Sequence, residues 1–156
     1  MATHSPEARL RDLDLALPPL QRPAGTYVRA VRSGALVFLA GHPPIRPDGT
    51  VIMGRLGQDL DAAAGREAAR CAALGALVTL REEVGSLDRV RRIVKLNGFV
   101  NATPDFVEYT PTIDAASDLL VEVFGDAGRH ARLAVGCPSL PWNIALEIEL
   151  VVEVEG

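Results

Sequence analysis

The chain has 156 residues with 48% hydrophobic and only 4% aromatic side chains, and its formal net charge is −4. This length and apolar content predict one domain around one core built from Ala, Val, Leu and Ile, and they exclude extended disorder. The acidic balance, with Lys95 as the only lysine, argues against a nucleic-acid partner, because a nucleic-acid groove needs a continuous basic surface.

The cysteines and the N-terminal segment indicate the compartment. The segment MATHSPEARLRDL is charged and lacks an apolar signal region, and no apolar run reaches transmembrane length. We therefore expect a cytoplasmic protein that keeps Cys71 and Cys137 reduced and has no membrane partner. The two cysteines and three histidines show no metal-ligand spacing, so no metal site is expected.

Residues 1–24 are predicted to form an N-terminal helix and a Pro-rich linker on the outside of the main domain, which spans residues 25–156. Leucines recur with helical spacing over residues 6–17. Three prolines then stop any helix and give an extended linker. Those residues are Pro18, Pro19 and Pro23.

Two strands are predicted next, over Thr26–Arg32 and Ala35–His42, with the hairpin signal Ser33-Gly34 between them. The second strand, ALVFLAGH, is nearly all apolar and is expected to be buried on both faces. Pro43 and the prolines that follow end it, and a short hairpin around Asp48-Gly49 is expected before the first long helix.

Two helices and one strand form the middle of the chain. The first helix is predicted over Asp59–Val84 and ends at Gly85, and the second lies within Asp105–Phe124. The strand between them covers Val90–Asn101, with Val94, Leu96, Gly98 and Val100 expected on one face. The helices carry apolar stripes at spacings of three and four residues: Ala69, Ala73, Leu77, Leu80 and Val84 in the first, and Ile113, Ala116, Leu120 and Val123 in the second.

The stretch from Gly128 to Val154 predicts the last two strands, joined by a Pro-bounded loop. The final strand alternates strictly, with apolar residues on one face and Glu147, Glu149 and Glu153 on the other. The order β-β-α-β-α-β-β predicts an α+β fold with a mixed sheet and two helices on one face. The other face then needs cover, which we expect another subunit to provide in a homo-oligomer.

Arg132 is a lone charge in the apolar strand that follows Gly128. A buried guanidinium needs an anion, and its planar fork suits a carboxylate. Two interpretations stay open from the residues alone: a structural ion pair, or a site for a small carboxylate-bearing molecule.

Four stretches, spread over about residues 8–154, together resemble one known family. They are AGTYVRAVRSGALVFLAGHPP, SLDRVRRIVKLNGFVNATPDF, ASDLLVEVFGDAGRHARLAVG and SLPWNIALEIELVVEV. The combination resembles the RidA (YjgF/YER057c/UK114) family of reactive-intermediate deaminases, in older usage endoribonuclease L-PSP, and the third stretch looks most like a YjgF-like subgroup. The resemblance implies a chorismate-mutase-like subunit in a homotrimer with clefts between subunits. It also implies hydrolysis of 2-imino acids to 2-keto acids and ammonia without metal or organic cofactor.

The same resemblance implies roles for single residues. Arg132 matches the arginine that grips the substrate carboxylate, Glu147 the glutamate that positions water, and Tyr27 the tyrosine contributed to the cleft entrance across the interface. Gly41 and Ala134 match positions where main-chain groups line the pocket. The chain departs from the family pattern at four places: Ala40-Gly41-His42, Leu133, Asp114-Ala115 and Val28-Arg29.

Several side chains have a structural and a functional interpretation. His42 is either a strand-end residue bonded to backbone or an acid–base group in place of the family's glutamine. Cys137, beside the expected cleft, is either an inert small hydrophobe or a nucleophile. Trp142 either caps the pocket or lies on the trimer surface. Glu147 is either a solvated strand residue or the group that handles water.

Three functions are consistent with these residues. The first is a hydrolytic deaminase of enamine and imine intermediates. The second is a diverged pathway enzyme, a hydrolase, cyclase or tailoring enzyme that acts on a biosynthetic intermediate. The third is a non-catalytic trimeric binder of small carboxylates, for which Arg132 would suffice.

Overall fold

The strand at the centre of the sheet is the one whose sequence alternates most strictly. In the computed structural model, which describes residues 4–156, this strand covers Leu146–Val154 and every second side chain is buried. A strand with one apolar face packs that face against a layer of helices and leaves its other face uncovered. The strands of this sheet are arranged in this way.

The described residues form three α-helices and a five-stranded mixed sheet. In chain order the elements are α1 (Pro6–Asp12), β1 (Ala30–Ser33), β2 (Leu36–Leu39), α2 (Ala62–Val84), β3 (Val90–Asn101), α3 (Tyr109–Phe124), β4 (Ala131–Cys137) and β5 (Leu146–Val154). The strand order is β1-β2-β5-β3-β4, in which β3 and β4 are parallel and the other pairs antiparallel. The predicted α+β class, the strand and helix order and the parallel pairing are confirmed.

Helix α2 packs along the sheet through the predicted apolar stripe, every member of which is buried. It begins later than predicted because Asp59 and Leu60 still belong to a turn that bonds back to Arg55. The side chain of Asp61 caps the first turn by accepting a hydrogen bond from the Ala64 amide at 2.8 Å. Gly85 ends the helix with a φ of 84°, a left-handed conformation that suits glycine.

Helix α3 lies beside α2 on the same face of the sheet, and its predicted stripe is also buried. Gly98 of β3 makes the close approach possible, because a Cβ at this position would come within 2.7 Å of the Ile113 side chain. The two long helices therefore cover one face of the sheet, as predicted, and leave the opposite face without a layer of its own in residues 4–156.

Besides the later start of α2, four details of the sequence-based prediction are wrong. Strand β1 begins at Ala30 rather than Thr26, because the chain bends at residues 24–27 and 29. The first helix ends at Asp12 rather than residue 17, because Asp14 turns the chain with a φ of 49°. In β3 a bulge between Ile93 and Lys95 changes the alternation, so Ile93 is buried and Val94 is exposed. Strand β2 is buried on one face only, since Phe38 is 44% exposed on the face away from the helices.

Helix α1 docks onto the domain next to the ends of α2 and β3. The Glu7 carboxylate accepts two hydrogen bonds from Arg81, at 3.0 and 2.7 Å, and one from the Leu87 amide at 3.0 Å. Leu10 is buried beneath the helix. Within residues 4–156, none of the helices is both long and apolar enough to span a membrane.

Candidate functional site

The sheet face opposite the helices carries a trough with a volume of about 1190 Å³. Its walls come from the segment Gln21–Arg29, from β1 and β2, from residues 40–53 after β2, and from β5 with the loop that precedes it. The lining is mostly apolar, and seven of the twelve exposed large hydrophobic side chains of residues 4–156 belong to it. These seven are Tyr27, Val28, Val31, Phe38, Val51, Met53 and Trp142.

Glu147 lies in this trough with its side chain over Gly41. Strand β5 turns Glu147 to the open face because its neighbours Leu146 and Ile148 face the helices. A Cβ at Gly41 would overlap the Glu147 carboxyl group, so glycine is required here for close packing of the backbone against the carboxylate.

The environment of Glu147 raises the pKa of its carboxyl group. Burial is the larger cause, because it disfavours the charged form, and the like charge of Glu149 is the smaller one. Glu149 is itself held by Asn97, whose Nδ2 donates to its Oε1 at 2.8 Å. A half-buried carboxylate with a raised pKa is a stronger proton acceptor than an ordinary carboxylate and is suited to exchange protons with water.

Tyr27 lies on the rim of the trough and is 52% exposed. Its hydroxyl oxygen accepts a hydrogen bond from the Ala24 amide at 3.1 Å, which folds the segment back on itself. The hydroxyl proton is then available for a ligand. The structure therefore places Tyr27, Gly41 and Glu147 around one cavity.

His42 belongs to the lining of the trough, but its imidazole packs against α2. Its Nδ1 donates to the Ala40 carbonyl at 2.7 Å, and its Nε2 accepts from the Thr79 hydroxyl at 2.8 Å, the tautomer being assigned from these partners. Burial lowers the pKa of the imidazole to about 4. Both nitrogens are occupied and the ring stays neutral, so this geometry favours the structural interpretation over an acid–base role.

Arg132 lies on the edge strand β4 and points to the helix side of the sheet. Its Nη1 donates to Asp114 Oδ1 at 2.6 Å and to the Ser117 hydroxyl at 3.1 Å, and its Nη2 donates to the Thr110 carbonyl at 3.4 Å. The Ser117 hydroxyl in turn donates to Nε2 of His130 at 2.9 Å. The Arg132 side chain is only 18% exposed, whereas that of Asp114 is 51% exposed.

The other predicted residues on β4 do not line the trough either. Leu133 is exposed on the open face, Ala134 packs against the core opposite Gly98, and Cys137 is partly buried at the strand end. Strand β3 separates β4 from β5. One subunit therefore does not bring Arg132, Leu133, Ala134 and Cys137 together with Glu147.

Two features of the site were not predicted from the sequence. In the sequence, Asp114 is distinguished only as a departure from a family pattern. Nothing in its local sequence indicates that it pairs with Arg132, eighteen positions later. The segment Gln21–Ala24, which was predicted as a linker, forms one wall of the trough. Among residues 4–156 no group of three or more His, Cys, Asp or Glu side chains could hold a metal ion.

Comparison with known proteins defines the class. The family model described as "YjgF/chorismate_mutase-like, putative endoribonuclease" matches residues 7–154. Protein TCP17 of Trypanosoma cruzi is 42% identical over 148 residues, which is 94% of this chain and 92% of that protein. The chain therefore belongs to the YjgF family, which is also called the RidA family, and the resemblance found in the sequence is confirmed.

Two crystal structures share the fold over nearly their whole length. A protein of unknown function from Agrobacterium tumefaciens is 39% identical with a TM-score of 0.89, over 96% of this chain and 92% of that one. A "putative endoribonuclease" from Shewanella oneidensis is 34% identical with a TM-score of 0.92, over 96% and 99%. The YjgF fold is thus confirmed by structure as well as by sequence.

Proposed function

We propose that this protein is a hydrolytic deaminase that converts reactive 2-imino acids, and the enamines from which they form, into 2-keto acids and ammonia. One observation carries the proposal: the half-buried carboxyl group of Glu147, with its raised pKa, lies on Gly41 at the floor of an apolar trough. Such a group can hold a water molecule beside an electrophilic carbon and exchange protons with it.

The reaction requires addition of water to a C=N bond and then loss of ammonia. Glu147 accepts a proton as the water oxygen attacks the carbon of the protonated imine, which gives a neutral tetrahedral carbinolamine. The protonated carboxyl group then gives this proton to the nitrogen. The carboxylate takes the proton of the carbinolamine hydroxyl as the C–N bond breaks and the C=O bond forms, and it passes that proton to the departing ammonia. The apolar lining limits bulk water, and the free hydroxyl proton of Tyr27 is available to a polar group of the substrate at the rim.

Arg132 enters this site only if a second copy of the chain supplies it. The residue lies on the outermost strand, β4, while the trough lies at the other end of the sheet around β1, β2 and β5. We propose a homotrimer in which β4 of one subunit lies against the trough of the next and Arg132 binds the substrate carboxylate. The exposed apolar side chains Val31 and Phe38 on the open face support such a cover.

The test is release of keto acid and ammonia from imino acids that an amino-acid oxidase generates in the assay. We expect acceleration over the spontaneous reaction by the wild type and its loss in Glu147→Gln. Glu153→Gln is a matched control, because Glu153 lies on the same strand and the same face. Wild-type protein that gives only the spontaneous rate with several imino acids would overturn the proposal.

The same variants separate catalysis from simple binding. A non-catalytic binder of carboxylates would keep its affinity for 2-ketobutyrate in Glu147→Gln and lose it in Arg132→Ala, with no acceleration of hydrolysis in either the variants or the wild type. An enzyme would lose turnover in both variants.

A second candidate function is favoured by the size of the trough. Its volume of about 1190 Å³ exceeds the roughly 300–1,000 Å³ of ordinary small-molecule sites. A pathway enzyme that acts on a larger biosynthetic intermediate would use the part of this space that the next subunit leaves open. Assays with imino acids of increasing side-chain size test this second function. It is favoured if kcat/KM keeps rising for substrates larger than the imino acids derived from free amino acids.

A further inference from the structure

The loop before β5 holds Trp142 in a conformation that is costly for a large side chain. Trp142 has a φ of 53° and Asn143 a φ of 58°, so two consecutive residues other than glycine adopt left-handed backbone angles. These angles are unfavourable for a residue with a Cβ and persist only where the surroundings fix them. The chain therefore spends stability to place this one side chain.

A set of hydrogen bonds from the core fixes this loop. Asn101, which is fully buried at the end of β3, donates its Nδ2 to Asn143 Oδ1 at 2.9 Å and to the Ile144 carbonyl at 3.0 Å. The Gly54 amide donates to the Asn143 carbonyl at 2.8 Å. The left-handed pair is thus held from two sides and is not a property of the loop alone.

The result is that an indole stands at the mouth of the trough. Trp142 is 72% exposed, yet it belongs to the lining together with Met53 and Tyr27. Removing apolar surface from water stabilises a complex in proportion to the area covered, and aromatic side chains carry the largest such area. A ligand that covers Trp142 gains this stabilisation of the complex, and a ligand too short to reach Trp142 does not.

The charged and amide side chains in the lining come from Glu147 and from the segment Gln21–Arg29, not from the wall formed by Trp142 and Met53. Glu147 lies on Gly41, whereas the wall formed by Trp142 and Met53 presents apolar surface to the same cavity. A substrate whose reacting carbon is next to Glu147 would extend its side chain along this wall. The wall therefore complements an apolar side chain, not a second charge.

We propose that Trp142 is a specificity-determining residue that selects 2-imino acids with an aromatic or large aliphatic side chain over small ones such as 2-iminopropanoate. This proposal rests on the deaminase function above, because it assigns the substrate class of that same trough. Asn101 is a positioning residue that acts through the loop. The discrimination arises because a large side chain covers the indole while a methyl group does not.

The binding test uses inert carboxylates, so it does not depend on turnover. Trp142 is the only tryptophan, and its fluorescence, excited beyond the tyrosine absorption, reports on this wall alone. We expect 3-phenylpropanoate to shift the emission and to bind about tenfold or more tightly than propanoate. Calorimetry on Trp142→Ala should bring the two affinities together, and Trp142→Phe should restore most of the difference. Val107→Ala, an exposed site outside the trough, is the control.

A kinetic arm repeats the comparison with imino acids generated from phenylalanine and alanine. The ratio of their kcat/KM values should fall about tenfold in Trp142→Ala. Three results would each overturn the proposal. They are equal affinity of the wild type for the two carboxylates, unchanged tryptophan emission at saturation, and a Trp142→Ala variant that changes only the number of subunits. A protein that shows the binding preference without any hydrolysis would instead contradict the deaminase function alone.

Discussion

Asp114 Oδ1 lies 2.6 Å from Nη1 of Arg132, so the guanidinium proposed to hold a substrate carboxylate already has an anionic partner in its own subunit. The two side chains differ in solvent exposure, since Arg132 is largely buried and half of the Asp114 side chain is exposed. An incoming carboxylate must share the guanidinium with Asp114 or displace it, because Nη1 is also committed to Ser117. We therefore expect Asp114 to weaken the affinity of Arg132 for other anions.

This relationship predicts the effect of Asp114→Asn. The amide oxygen keeps a hydrogen bond from Nη1 but removes the competing negative charge, so 2-ketobutyrate should bind about three- to tenfold more tightly. The gain stays at this scale because water screens an exposed carboxylate. Titration calorimetry measures it. Asp118→Asn, at an exposed position of the same helix, should leave the affinity unchanged, and equal or weaker binding by Asp114→Asn would show that Asp114 does not compete.

Glu149 should set part of the pH dependence of the proposed hydrolysis. Burial and the charge of Glu149 both raise the pKa of Glu147, and a base that must be ionised loses activity as the pH falls through its pKa. Glu149→Gln removes the smaller cause and can still accept the hydrogen bond from Asn97. The acid limb of kcat/KM, corrected for spontaneous hydrolysis, should therefore move to lower pH.

The burial of Glu147 is unchanged in that variant, so the shift should be incomplete. Glu153→Gln, farther along the same strand, should leave the limb in place, since Glu153 does not contribute to the pKa of Glu147. A limb that stays fixed in Glu149→Gln would mean that it reports on some group other than Glu147.

Gly41→Ala should inactivate the site without unfolding the protein. The new Cβ would occupy the position of the Glu147 carboxyl group, so the carboxylate must move, and a displacement of about 1 Å can cost roughly a hundredfold in rate. Gly75→Ala is the control, because Gly75 lies inside α2, a Cβ there would meet only His42 Cδ2 at 3.8 Å, an ordinary contact distance, and alanine favours a helix. We expect a cooperative thermal transition in both variants and loss of kcat/KM in Gly41→Ala only.

Unchanged kcat/KM in Gly41→Ala would mean that the position of Glu147 is not important for the reaction. A lower unfolding temperature combined with normal kcat/KM would lead to the same conclusion.

Local sequence patterns predicted the elements of the fold but not the contacts between them. The alternation of β5 and the stripe of α2 follow from periodicity, which a strand or helix expresses within its own residues. The bulge near Ile93 changed the face of Val94, because one extra residue in a strand reverses the alternation. No periodicity indicates such a bulge in advance.

The site was predictable to the same extent. The sheet face on which Glu147 lies follows from the alternation of β5. The contact of Glu147 with Gly41 requires, in addition, that the chain after β2 continues beside β5. The direction of Arg132 was not predictable, since it depends on how α3 lies across β4 and brings Asp114 within reach. Residues 21–29 have no regular pattern, and their place as a wall of the trough is set by tertiary packing.

His42 should make the fold sensitive to acid. Burial lowers the pKa of its imidazole from 6.5 to about 4, so the unfolded chain binds the proton first. The stabilisation is complete above pH 6.5 and is lost as the pH falls toward 4, and it corresponds to about 3 kcal/mol over that interval.

His42→Gln removes the titrating ring, and its side-chain oxygen can still accept from Thr79. The decrease in the free energy of unfolding between pH 7 and pH 5, measured with urea, should therefore be smaller in His42→Gln than in the wild type. His4→Gln, which changes an exposed histidine, should keep the wild-type decrease, and an equal decrease in all three proteins would show that His42 is not the source of acid sensitivity.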